Sequence, residues 1–219
     1  MTPTARRAMH ALHRADIYAG FSPLRPLDLQ GWNGRHPALA RVVAEVRPQL
    51  AIDVGVWKGE SAATLAQAMR AARPDSALIA VDTFLGSPEH WNPDRPDRIM
   101  DSLGLTHGWP GLYWQFLSNV AHLGLQDMVV PLPQTSENAA VILRRAGFRP
   151  DLVHVDAAHE YEPVLRDIRL FWDLLRPGGL LIGDDHPWPG VKQAVAEFAT
   201  ATGLTPEIEE PKWIFRKPA

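Results

Sequence analysis

The 219-residue chain contains no cysteine, which excludes a disulfide framework, a thiolate metal site and a thiol nucleophile. No apolar run approaches the ~20 residues that span a bilayer. Arg6, Arg7 and Arg14 near the start are not followed by the apolar stretch of a secretory signal. Charge excess of either sign is also missing, with 22 Lys and Arg against 25 Asp and Glu. A nucleic-acid binder carries a basic stripe that neutralises phosphates, so this balance argues against a polyanionic partner. Internal repeats and low-complexity tracts are absent too. These absences lead us to expect a cytoplasmic protein with neither a nucleic-acid nor a membrane partner.

The hydrophobic share of 46% and the charged share of 21% give ample apolar side chain for a core, and the length suits one α/β domain over 1–219. Near-continuous apolar runs at Leu50–Val54, Leu78–Val81, Met128–Pro131, Leu152–Val155 and Leu180–Ile182 read as strands covered on both faces. Amphipathic stretches at Pro37–Val46, Ser61–Arg73, Leu112–Leu123, Ser136–Ala146, Tyr161–Leu175 and Gly190–Thr200 read as helices between them. Two short strands, Glu207–Glu209 and Trp213–Arg216, would form a hairpin at the sheet edge. The alternation predicts a Rossmann-like, doubly wound, mostly parallel seven-stranded sheet closed by a C-terminal antiparallel hairpin. Two segments stand outside it. Residues 1–35 are rich in Pro, His and Arg and read as a helical cap or a loose arm. Residues 85–111 hold four prolines and form an insert too long for a plain loop, which suggests a lid or acceptor site.

The strongest local signal runs from Asp53 through Val54, Gly55, Val56, Trp57, Lys58, Gly59 and Glu60 to Ser61, a strand that turns through glycines into a helix. Such glycines admit close backbone approach to a ligand, and both nucleotide loops and methyltransferase loops have this form. Charge favours one of them. A pyrophosphate at the helix N-terminus would be repelled by Asp53 and Glu60, whereas S-adenosylmethionine carries a sulfonium and an ammonium that carboxylates attract. Twenty-three residues after Gly59 the next strand ends at Asp82, where a carboxylate takes ribose hydroxyls. Gln134 and Ser136 follow the third strand at the same sheet edge and are candidates for adenine contact, though Ser136 also suits a helix cap.

The fourth and fifth strands end in Asp156 and in Asp184-Asp185. Three carboxylates converging there repel one another unless a cation or protons intervene, so Asp156, Asp184 and Asp185 are the candidate ligands of Mg²⁺ or another hard divalent ion. His159 is the leading general-base candidate, since imidazole titrates near neutral pH, with His186 second. Trp91, Trp109, Tyr113 and Trp114, with His90 and His107, either form an acceptor wall or fasten the insert to the sheet.

Together these motifs resemble the class I S-adenosylmethionine-dependent methyltransferases, and more narrowly a small bacterial branch related to cephalosporin-hydroxylase-like and macrocin-type O-methyltransferases. The stretches that carry the resemblance are Asp53–Ser61, Val81–Trp91, His154–Tyr161 and Arg176–Asp185. It implies a cofactor site of Asp53, Gly55, Val56, Trp57, Gly59, Glu60, Ser61, Asp82, Thr83, Phe84, Gln134, Ser136 and Asp156. It also implies a metal triad of Asp156, Asp184 and Asp185, and catalysis by His159 with Asp156. Macrocin-type relatives carry a second Asp two places after the first ligand; Ala158 stands there in this chain, which shifts the base to His159. The implied reaction is O-methylation of a small hydroxylated acceptor such as a metabolite, sugar or natural product. The implied assembly is a homo-oligomer. The alternatives are a metal-free N- or O-methyltransferase and a catalytically silent cofactor-binding protein.

Overall fold

The computed structural model describes residues 1–219. Its seven strands are β1 (Leu50–Val54), β2 (Ala77–Asp82), β3 (Val129–Pro133), β4 (Leu152–Val155), β5 (Leu180–Gly183), β6 (Glu207–Glu209) and β7 (Lys212–Arg216). They form one sheet in the order β3-β2-β1-β4-β5-β7-β6. The pairs among β1 to β5 are parallel, and β7 runs antiparallel to both β5 and β6. The order reverses between β1 and β4, and in an open α/β sheet that switch point opens a crevice at the carboxyl ends of the strands.

Seven α-helices surround the sheet: α1 (Pro3–His13), α2 (Pro37–Val46), α3 (Glu60–Ala72), α4 (Leu112–His122), α5 (Ser136–Arg145), α6 (Tyr161–Leu174) and α7 (Pro189–Thr202). Local chemistry sets several of their ends. Thr2 and Thr135 accept from backbone N–H groups of the first turns of α1 and α5. Pro37 and Pro189 open α2 and α7, where a missing N–H costs nothing. Helix α2 packs on α3, while α5, α6 and α7 pack in series. The core between the layers is one apolar cluster whose largest sealed side chains include Leu39, Ile52, Leu65, Met69, Phe116, Phe171, Trp213 and Phe215. No helix is long and apolar enough to cross a membrane.

The strand positions agree with the sequence reading to within a residue or two. The segment 1–35 starts with helix α1, which packs against β2 and β3. The insert folds into short 3-10 turns at Pro88–Trp91 and Ile99–Leu103. Lys58 pins the arm: its buried ammonium meets Asp28 Oδ2 and Gln30 Oε1, each at 2.6 Å. Asn119 Nδ2 donates to the carbonyls of Asp28 and Lys58.

Candidate active site

A cavity of about 760 Å³ opens at the carboxyl edge of the sheet. Its floor is the turn after β1. Gly55 has φ +86°, and a Cβ there would lie 1.9 Å from the Asp156 carbonyl oxygen. Only glycine lets the ends of β1 and β4 approach this closely. Asp82 closes the neighbouring strand, accepting from Trp57 N–H at 2.8 Å and Phe84 N–H at 2.7 Å. Burial raises its carboxyl above the ordinary range, opposed by those two N–H donors. Glu60, at the start of α3, faces the cavity and pairs with Arg35 Nε at 2.8 Å.

At the other end of the cavity, His159 Nε2 lies 2.8 Å from Asp185 Oδ2, and the imidazole stacks on Trp188 with ring centroids 4.8 Å apart. The hydrogen bond to Asp185 raises the imidazole pKa more than burial lowers it. Asp156 stands beside this pair with its carboxyl pushed up to about 7, chiefly by desolvation and then by the charge of Asp184. Ligand atoms of Asp156, His159 and Asp185 all lie within 4.8 Å of one another. This set of two carboxylates and one imidazole fits a divalent cation held on one side, with the remaining positions open to the cavity.

Trp57, His90 and Trp32 form a stack at the rim, with His90 centred 4.3 Å from Trp57 and 5.9 Å from Trp32. Arm, glycine turn and insert therefore meet over the cavity. A glycine turn at one side of the cavity and a histidine–aspartate pair at the other is a layout that suits group transfer.

A family model described as a methyltransferase domain matches residues 52–186. The chain belongs to the methyltransferase domain family. No curated protein matches it. Among solved structures, the methyltransferase resembles the O-methyltransferase NovP at 19% identity, covering 100% of this chain and 92% of that one with a TM-score of 0.64. It resembles the calicheamicin methyltransferase CalS11 at 20% identity, covering 82% and 76% with a TM-score of 0.58. It also resembles the O-methyltransferase TomG of Streptomyces achromogenes, solved with S-adenosylmethionine, at 16% identity, covering 99% and 92% with a TM-score of 0.57. These likenesses establish the methyltransferase fold.

The cavity of the methyltransferase gathers most of the residues expected from the sequence: Gly55, Val56, Trp57, Glu60, Ser61, Asp82, Thr83, Gln134, Ser136, Asp156, His159 and Asp185 all line it. Four do not. Asp184 is the main correction. Its carboxylate turns into the core, where Oδ2 takes Lys212 Nζ at 2.7 Å and Oδ1 takes the Asp185 N–H at 2.8 Å, so the cation-ready set is Asp156, His159 and Asp185 instead. Asp53 is fully buried beneath the site, held by Ser61 Oγ at 2.8 Å and His154 Nδ1 at 2.7 Å. Phe84 packs inward against Tyr113 and Phe116. Gly59 shapes the left-handed cap of α3 over the Phe116 ring and is set back from the cavity.

Of the two readings left open for the insert's aromatics, the wall role does not fall to Trp91, Trp109, Tyr113 or Trp114, none of which lines the cavity. Trp91 donates its indole N–H to Leu85 within the insert, Tyr113 packs on Phe84, and Trp109 and Trp114 face outward. Trp32, Trp57 and Trp188 line the cavity, and of the insert histidines only His90 does. His186 pairs with Glu210 Oε1 at 2.8 Å, away from the cavity. Sequence reasoning passed over Gln30–Gly34, Arg95, Asp167 and Trp188. The glycines at 31 and 34, tight against Glu60, were the available signal for the arm segment.

Proposed function

We propose that this methyltransferase transfers the sulfonium methyl of S-adenosylmethionine to a hydroxyl oxygen of a small acceptor of the sugar or natural-product class. The observation that carries the reading is one continuous cavity joining the Gly55–Glu60 turn and Asp82 to the His159–Asp185 pair. Glu60 and Asp82 face the cavity as carboxylates, which suits a cationic cofactor with a ribose and opposes a pyrophosphate. TomG, of similar fold, was solved with S-adenosylmethionine, and CalS11 and NovP are methyltransferases of similar fold.

An Nε2–H tautomer of His159 donating to Asp185 leaves Nδ1 to accept a proton. Nδ1 takes the acceptor's hydroxyl proton, the oxygen lone pair forms a bond to the methyl carbon, and the carbon–sulfur bond breaks with its electron pair passing to sulfur. The products are a methyl ether and the neutral thioether S-adenosylhomocysteine. Rate comes mainly from aligning oxygen, carbon and sulfur in a closed site. Trp188 fixes the imidazole plane, and the arm and the insert act as the lid on the acceptor side.

The cluster of Asp156, His159 and Asp185 favours a second reading. A divalent cation held there would supply Lewis acidity toward an acceptor oxygen, and it would displace the His159–Asp185 hydrogen bond. Calorimetric titration with S-adenosylhomocysteine, and with NADH as the parallel ligand, tests the cofactor reading. Micromolar binding of the first alone is expected; folded protein that binds neither sinks it.

A further inference from the structure

Asp185 takes the Nε2 side of His159, which leaves Nδ1 to the acceptor. Glu89 Oε1 lies 3.7 Å from that nitrogen, beyond the reach of a hydrogen bond. A ligand can therefore address both atoms at once, with one donor on Nδ1 and a second on the carboxylate. Hydroxyl and amino groups on adjacent carbons stand at a spacing that suits this pair. Glu89 is held in place by its neighbours. It belongs to the 3-10 turn Pro88–Trp91 of the insert, which Ser87 and His90 cap reciprocally, the Ser87 N–H donating to His90 Nδ1 at 2.9 Å. The His90 ring rests in turn against Trp57 and Trp32.

Charge says which donor the carboxylate takes. Glu89 has no lysine or arginine partner; its one ion-pair contact is His159. Arg95, the insert's cation in the cavity wall, is engaged by Asp97 at 2.5 Å, while Arg35 and Arg166 are committed to Glu60 and Glu137. Asp156, Asp185 and Glu160 line the cavity on either side of His159 in the chain, so with a neutral imidazole this end is net negative. Glu89 stands outside the cluster of Asp156, His159 and Asp185 that fits a metal ion. An acceptor carboxylate or phosphate would be repelled here, and an ammonium drawn in. Trp32 and Trp188, 53% and 52% exposed, present bare indole to the same cavity, and such faces also attract a cation.

We propose that Glu89 selects the acceptor by taking an ammonium on the carbon next to the methylated hydroxyl, so that the acceptor is a vicinal amino alcohol of the amino-sugar type. The inference rests on the function proposed above. The hydroxyl gives its proton to His159 Nδ1 and its oxygen bonds to the methyl carbon, as already described. The ammonium keeps its proton on Glu89 throughout. Its nitrogen then has no free lone pair, which directs the methyl to oxygen, and its inductive pull eases loss of the hydroxyl proton. A carboxylate built to receive a charged donor discriminates against a neutral analogue, because the charge-assisted hydrogen bond is then lost.

The test is calorimetric titration of the full chain, saturated with S-adenosylhomocysteine in the presence of EDTA, with cis- and trans-2-aminocyclohexanol and with the matching cyclohexane-1,2-diols. These probes cover both relative configurations, and EDTA keeps a divalent ion from competing with the ammonium. Wild type is expected to bind one of the amino alcohols at least about tenfold more tightly than its diol, the usual worth of a hydrogen bond to a charged group. Glu89→Gln should shrink that preference by at least about fivefold, because the amide keeps the shape and loses the charge. Its affinity for S-adenosylhomocysteine, measured beside it, shows that the variant is folded. Equal affinity for amino alcohol and diol overturns the proposal, as does a preference for the diol, failure of the loaded protein to bind either amino alcohol, or a preference that survives Glu89→Gln. Each of these defeats this inference alone, whereas failure to bind S-adenosylhomocysteine in the loading step defeats the cofactor reading.

Discussion

Lys212 Nζ sits 2.7 Å from Asp184 Oδ2 and 3.3 Å from His154 Nε2, with all three side chains sealed from solvent. The contact is a consequence of register. β5 and β7 pair antiparallel up to Gly183 and Trp213, and Asp184 and Lys212 are the next step of that ladder. From Lys212 the polar chain continues through His154 to Asp53 and ends on Ser61 at the head of α3. A fixed ammonium therefore neutralises the acid that the sequence assigned to a metal.

Removing one partner of this pair strands a buried charge. Lys212→Met is expected to lower stability by about 3–5 kcal/mol. The double variant Lys212→Met with Asp184→Leu should recover much of that loss, since both charges are then gone. Urea denaturation of the single and double variants measures the difference.

Divalent-ion binding separates the two adjacent acids. If the cluster of Asp156, His159 and Asp185 holds a cation, Mn²⁺ titration followed by electron paramagnetic resonance will show one site in wild type. That site disappears in Asp185→Ala and survives in Asp184→Asn. Loss of binding in Asp184→Asn with retention in Asp185→Ala would reverse the assignment.

Much of this architecture was legible in the chain. Strand positions followed from apolar runs, and the carboxyl-edge placement of Gly55, Glu60, Asp82, Asp156 and His159 followed from strand ends. Side-chain direction did not. Asp184 and Asp185 are neighbours in sequence, yet one turns into the core and the other into the cavity, because Asp185 adopts φ +60° after β5. Asp53 pairs with His154 because the register of β1 and β4 sets them side by side, and a single sequence carries no register. Lys212 was invisible for the same reason. Trp32 and Trp188 were missed because each lies in a loop whose path is set by tertiary contacts.

Stability should fall between about pH 4 and pH 6 on account of Asp167. Its folded-state carboxyl is raised to about 6 by burial. Below about pH 4 both states are protonated and the group contributes nothing. As pH rises, the unfolded chain releases its proton first, so the native state binds more protons and loses stability. Above about 6 the full penalty applies, on the order of 2–3 kcal/mol. Asp167→Asn should make this part of a plot of unfolding free energy against pH less steep, the remaining slope coming from Asp156, whose carboxyl burial also raises.

Gly55→Ala is expected to cost more than about 2 kcal/mol, since alanine resists the left-handed backbone and its methyl would strike the Asp156 carbonyl. A thermal melt reads the loss, and S-adenosylhomocysteine affinity should drop with it. A variant as stable as wild type would mean that β4 can shift away from the turn.

His159→Gln should slow methyl transfer to an accepted hydroxyl by about 10²–10⁴-fold with unchanged affinity for S-adenosylhomocysteine. Steady-state rates beside calorimetry make the comparison. Equal losses in both would make His159 a binding group rather than the base.

The stack of Trp32, His90 and Trp57 places two indoles in ring contact beside the cavity, where they can serve as an optical reporter. Parting His90 from two indoles costs about 1–3 kcal/mol by the usual worth of aromatic pairs, which is compatible with gating in the microsecond to millisecond range. Any parting of the stack would change the surroundings of both indoles. Their emission should therefore report traffic through the rim directly, so that entry and exit rates can be followed in a stopped-flow instrument without any label, before a single acceptor has been identified.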